Sequence, residues 1–157
     1  MRKKSKCKNN CRLQNIIIII LFLLFIGLLI FVLMNQMNEY YQQTSPLLME
    51  IREKLENFAD NPSEYETIRK LKFFEGKKSY TINKKKVYLC LYDEYGKPYN
   101  MNMLIYVALH ELAHVFCDEI GHTPKFHRIF KDFLIRAEQK GIYDSTIPIL
   151  KNYCGHN

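Results

Sequence analysis

Residues 16–34 read Ile-Ile-Ile-Ile-Ile-Leu-Phe-Leu-Leu-Phe-Ile-Gly-Leu-Leu-Ile-Phe-Val-Leu-Met, a run with no charged or strongly polar side chain. As a helix rising about 1.5 Å per residue it covers a hydrocarbon core of about 30 Å, so the stretch predicts a single transmembrane helix. A cleaved signal peptide would have a shorter apolar region and a small-residue cleavage site, which Met34-Asn35-Gln36-Met37-Asn38 does not supply. Before the run stand Arg2, Lys3, Lys4, Lys6, Lys8 and Arg12 without an acid; after it no Lys or Arg occurs until Arg52. The positive-inside rule then predicts a cytosolic N-terminus and a C-terminal body on the non-cytosolic side.

The chain holds 23 basic and 16 acidic residues, and setting the six flanking cations aside leaves a nearly neutral body. Nucleic-acid binders carry their positive charge on the folded domain, so no nucleic-acid partner is expected. The five cysteines, Cys7, Cys11, Cys90, Cys117 and Cys154, are too few and too scattered beyond the span to form a disulfide framework. In an oxidising compartment Cys90 and Cys154 are available to pair, though their spacing does not require it. Cys7 and Cys11, beside the span, are either candidates for palmitoylation or plain cytosolic thiols.

Periodicity divides the remainder. Ser45 and Pro46 are a helix start, followed by Leu47, Leu48, Ile51, Leu55 and Phe58 at helical spacing. Asn61 and Pro62 repeat the signal ahead of Tyr65, Ile68 and Leu71. The organisation expected is a basic cytosolic tail over 1–15, a transmembrane helix over 16–34, helices of a stalk or packing layer over 35–75, and a small domain over 76–157. In that domain 79–83 and 87–92 are β-rich and predict a hairpin with Lys84-Lys85-Lys86 at its tip, read as a solvated turn.

From Asn102 to Ile120 the chain is almost continuously apolar, with Gly121 as a stop, which predicts a buried helix. That helix nonetheless carries His110-Glu111-Leu112-Ala113-His114. Unpaired buried polar groups cost several kcal/mol, and a metal ion accounts for their presence. Imidazoles at i and i+4 lie one turn apart on one face and can ligate one Zn²⁺, while Glu111, about 100° round the helix, is placed to act as a base rather than a ligand. A third ligand must return after the helix, and His122 follows Gly121 directly. Thr123 and Pro124 then start another helix, with Phe126, Ile129, Phe130, Phe133, Leu134 and Ala137 as an apolar stripe. His127 competes for the third position, and Cys117, one turn beyond His114, is a further candidate near the metal.

The stretch His110-Glu111-Leu112-Ala113-His114, seven residues, then His122-Thr123-Pro124-Lys125-Phe126 resembles the short zincins of the SprT-like, YgjP-like and WLM type over about residues 87–140. The resemblance implies zinc held by His110, His114 and His122, Glu111 as general base, Phe126 packed beside the site, and the hairpin lining a cleft. The chain departs from those groups in its membrane anchor and in lacking Cys-x-x-Cys. The expected fold is α+β: a zincin-like domain of active-site helix, following helix and short antiparallel sheet, behind one transmembrane helix. The expected function is that of a zinc metallopeptidase acting on a protein or peptide substrate. A tethered zinc-binding scaffold without activity and a metal-dependent amidase on a non-protein substrate are the alternatives. Tyr106, Tyr143, Tyr153 and His156 are candidate oxyanion donors.

Overall fold

The computed structural model describes the backbone of residues 3–43 and 45–155, with side chains over 14–37 and 45–154. His156, Arg2 and the side chains of Cys7, Cys11 and the other flanking cations lie outside the described residues. Two compact units result, Met1–Tyr40 and Tyr41–Asn157. The first is built on one long helix, α1 (Lys3–Gln43), which runs on past Tyr40 and whose segment Gln14–Met37 is long and apolar enough to cross a membrane. The apolar side chains of this segment are turned outward all round the helix, where a helix serving a soluble core would be buried.

The second unit is α+β. Helices α2 (Pro46–Phe58) and α3 (Pro62–Lys70) lead into strands β1 (Lys72–Glu75), β2 (Tyr80–Ile82) and β3 (Lys86–Leu89). Helices α4 (Met101–Phe116) and α5 (Pro124–Gln139) follow, and a 3-10 turn spans Tyr153–Gly155. Both N-terminal helices start where the sequence signals them. Pro46 opens α2, which buries Leu48, Ile51, Leu55 and Phe58. Asn61 caps α3 by accepting the Glu64 N–H at 2.9 Å, and the Glu64 carboxylate reaches back to the Asp60 N–H at 2.8 Å.

The sheet departs from the antiparallel expectation. Its order is β1-β3-β2, with β2 antiparallel and β1 parallel to β3. The hairpin itself forms as expected, turning through Asn83 and Lys84, both at positive φ, with the Lys85 N–H bonded to the Ile82 carbonyl at 3.0 Å. Val87 and Leu89 bury β3 as a central strand, whose second edge needs backbone partners of its own. Lys72–Glu75, at the end of the stretch read as helical, supplies them, because its adjacent aromatics Phe73 and Phe74 suit the pleated surface of a sheet.

Helix α4 also ends earlier than the apolar run suggests, at Phe116 rather than Ile120. Cys117 is already extended (φ −78°, ψ 126°), and the next five residues are all exposed, so no buried side chain extends the helix. Cys90 and Cys154 are joined by a disulfide with their Cα atoms 6.4 Å apart, tying the chain just after β3 to the C-terminal turn. Cys117 is a free thiol sealed in the core.

The core lies between the sheet and α2 on one side and the α4–α5 pair on the other. Ring contacts stitch the second boundary, Tyr106 to Phe130 at 5.2 Å and Phe58 to Phe133 at 5.2 Å. Over that boundary lies Arg136, its guanidinium 4.4 Å from the Phe58 ring centroid and bonded at 2.6 Å to Glu64, whose side chain is only 8% exposed. Lys140 donates to the Phe58 carbonyl at 2.7 Å, capping α2 from α5. Removing the guanidinium strands a buried carboxylate, so Arg136→Ala is expected to cost about 3 kcal/mol of stability. A urea unfolding curve of the variant against the parent protein measures it.

Candidate metal centre

Helix α4 begins at Asn100, whose side chain accepts the Met103 N–H at 2.7 Å, and its middle is core: Leu104, Ile105, Ala108, Leu109, Leu112 and Ala113 are buried. The remaining face carries His110 and His114, one turn apart and half-buried. Gly121, at φ +84°, turns the chain back after the helix and brings exposed His122 beside them. The His122 Nε2 lies 3.0 Å from that of His110 and 3.2 Å from that of His114. Phe126, fully buried on the first turn of α5, backs all three rings. It stacks on His114 at 4.3 Å and meets His110 and His122 edge-on at 5.0 and 4.8 Å.

Three converging ring nitrogens cannot satisfy one another. Each nitrogen of a neutral imidazole carries either one N–H or one lone pair, so His122 Nε2, facing both neighbours, can bond fully to only one of them. A cation between them relieves all three at once. The spacing suits one: ligand bonds of 2.0–2.1 Å in tetrahedral array place neighbouring nitrogens about 3.3 Å apart. Burial pushes the His110 pKa down to about 4, with the neighbouring imidazoles adding to the effect. Burial, and then His122, also lowers that of His114. Both rings are therefore neutral at ordinary pH, the form that ligates a metal. His110, His114 and His122 together can hold a metal ion.

Glu111 is 5% exposed, and its carboxylate accepts a hydrogen bond from the Thr81 hydroxyl of β2 at 2.8 Å. The same hydroxyl reaches the Glu111 backbone carbonyl at 3.2 Å. Burial raises the Glu111 pKa to about 7 against the opposing pull of that hydrogen bond. The trio and Glu111 open into a cleft of about 560 Å³, walled on its far side by Tyr80, Thr81, Asn83 and Lys84 of the hairpin. A larger concavity of about 750 Å³ beside the disulfide has no imidazole in its lining and none of the candidate metal ligands, so the candidate site is the smaller cleft.

The rival ligands are placed elsewhere. Cys117 points into the core, and exposed His127 has its ring centroid 6.3 Å from that of His122; among the described residues neither joins the trio. Of the tyrosines considered as oxyanion donors, Tyr153 is committed to the Cys90 carbonyl and to Ser79 at 3.0 Å, with burial pushing its pKa up to about 12. Tyr106 and Tyr143 pack on each other, ring centroids 6.1 Å apart, away from the cleft lining. The hairpin residues Thr81 and Lys84 are the contributors that motif reading passes over. Thr81 carries no signal in sequence beyond its place in a β-rich segment, and Lys84 reads there as part of a solvated turn.

The chain is similar to uncharacterized viral proteins. One of Invertebrate iridescent virus 6 is 53% identical over 87 residues, covering 54% of this chain and 49% of that protein. One of Invertebrate iridescent virus 3 is 48% identical over 85 residues, 54% of each, and one of Acanthamoeba polyphaga mimivirus is 36% identical over 107 residues, 64% of this chain and 51% of that protein. The chain thus spans about half the length of the curated relatives it matches. No family model matches it, and neither does any solved structure. These names carry no activity, and the functional reading rests on the site.

Changing His122 to Ala is expected to lower metal occupancy sharply, whereas His127→Ala leaves it near that of the parent. Metal analysis of the two purified variants after dialysis decides between the imidazoles, and the opposite ranking would move the third ligand to His127.

Proposed function

We propose that the chain is a membrane-anchored zinc metallopeptidase of the short zincin type that its motif resembles. The observation that carries this reading is the pairing of a three-imidazole trio with a buried carboxylate on the same cleft, with no fourth protein ligand beside the trio among the described residues. A closed set of four ligands would suit a structural ion; three suit a catalytic one. When bound, zinc supplies Lewis acidity to a carbonyl and lowers the pKa of water.

The chain's own groups do the rest. His110, His114 and His122 hold the ion, and Phe126 keeps their rings from turning. Thr81 fixes the Glu111 carboxylate by its hydrogen bond, leaving the second oxygen to accept a proton from the attacking water and return it to the leaving amine nitrogen. Two walls bound the cleft, the hairpin on one side and the loop carrying His122 on the other, and a peptide segment is the substrate class such an open cleft admits. No side-chain nucleophile is required.

Glu111→Gln keeps the size of the side chain and removes the base. It is expected to lower peptide hydrolysis by about 10²–10⁴-fold while the zinc content stays at the parent level. A peptide-library digest paired with metal analysis reads both; near-parental turnover, or metal loss as complete as in His110→Ala, would count against this role and leave a scaffold.

The same reading places α1 in a bilayer with the N-terminus cytosolic, on the strength of the six cations before the span. The Cys90–Cys154 disulfide accords with a body in an oxidising compartment. In sealed vesicles of native orientation, protease added on the cytosolic side is expected to leave the body intact. Its digestion there would reverse the topology.

A further inference from the structure

The loop that delivers the third imidazole has no apolar anchor. Asp118, Glu119, Ile120, Gly121 and His122 are all exposed, Ile120 to 98%. A segment without buried side chains takes its position from its ends and from polar contacts. Its downstream end is secured by the cap of α5, where Thr123 Oγ1 accepts the Phe126 N–H at 3.3 Å, and by Phe126 itself. At the upstream end the Cys117 N–H bonds to the Ala113 carbonyl at 2.8 Å, and the Cys117 carbonyl accepts a hydrogen bond from Lys84 Nζ at 2.6 Å. The pair between Lys125 and Asp118, also 2.6 Å, is exposed on both sides and holds little by comparison.

Lys84 occupies an unusual place to do this. Its φ is +53°, in the left-handed region that asparagine tolerates and a long side chain pays for, and the second position of such a turn is where glycine is favoured. A lysine kept there projects from the hairpin tip across the cleft wall to the end of α4, where the helix carbonyls favour a cation. Six residues earlier on the same helix, Thr81 of the same hairpin bonds Glu111. The hairpin therefore grips α4 at the base and at the point where the ligand loop leaves it.

We propose that Lys84 is a positioning residue for the metal centre: its ammonium, bound to the Cys117 carbonyl, fixes the origin of the loop that carries His122. The proposal rests on the reading of the trio as a zinc site. It differs in sign from a purely electrostatic role. A cation on the cleft wall repels a metal ion, so if charge alone mattered its removal would tighten zinc binding. Loss of a clamp weakens it instead.

The test uses the full chain in detergent micelles, loaded with Zn²⁺ and challenged with a chelator, with apo-protein melting temperatures measured alongside. Lys84→Met and Lys84→Gly are expected to speed zinc loss about tenfold, in the range of outer-shell changes at metal sites, and Lys84→Arg to restore parental retention. Because glycine relieves the left-handed backbone, Lys84→Gly should melt no lower than the parent, which separates a released loop from a damaged fold. Zinc retention at or above the parental level in both the Met and Gly variants would overturn the clamp while leaving the zinc site standing. A parent chain that takes up no zinc would overturn both.

Discussion

Helix α4 has ten buried residues, and a helix so committed to the core has little freedom in its own axis or rotation. His110 and His114 inherit that rigidity. Their separation is set by one helical turn, and Phe126 sits beneath them as part of the core rather than as an ornament of the site. The energetic demand runs in the other direction too. Two imidazoles and a carboxylate interrupt an otherwise apolar helix, and each must find a partner or forfeit hydration. Glu111 finds Thr81; the imidazoles find each other and, on the reading advanced here, a metal. Much of the body can be understood as arranged to supply those partners without opening the core.

How far this was legible in the sequence follows from whether the interactions are local. The starts of α2, α3 and α5 are written in Ser45-Pro46, Asn61-Pro62 and Thr123-Pro124, because a helix start needs only a few neighbouring residues. The imidazole spacing on α4 is likewise a property of one helix. By contrast, β1 exists because β3 has a second edge to satisfy, and nothing within Lys72–Glu75 announces that partnership. The end of α4 escapes a periodicity argument for a related reason. Ile120 counts as apolar in a periodicity argument but stands almost wholly in solvent, since the chain has turned away from the core at Cys117. Nor does any pattern reveal that Lys84 of a three-lysine turn bonds a carbonyl 33 residues further along the chain.

The parts of the site are held by unequal means. Packing fixes His110 and His114. Glu111 is fixed by burial and one hydrogen bond, and Thr81, which provides it, belongs to an edge strand only three residues long. That strand is backed in turn: Ser79, next to it, accepts the Cys90 N–H at 3.0 Å and bonds to the Tyr153 hydroxyl, and Cys90 is covalently joined to Cys154. The disulfide-joined segments therefore hold, through two hydrogen bonds that meet at the Ser79 hydroxyl, the start of the strand that orients the carboxylate. They stabilise an element too short to be secure by pairing alone.

His122 is the least constrained of the three imidazoles, exposed on a loop between two firmly packed helices. This inequality suits a binding sequence in which α4 presents two ligands in fixed register and the loop completes the set. A site made wholly of rigid elements would need its third nitrogen placed to within tenths of an ångström by the fold. On the proposed reading, carrying it on a short loop anchored at both ends, with Gly121 at positive φ between them, would let a bound metal draw the last ligand into place. The cost is that the hold on the ion depends on what fixes the ends of that loop, and both ends lie outside the His110-to-His114 motif by which the site is recognised.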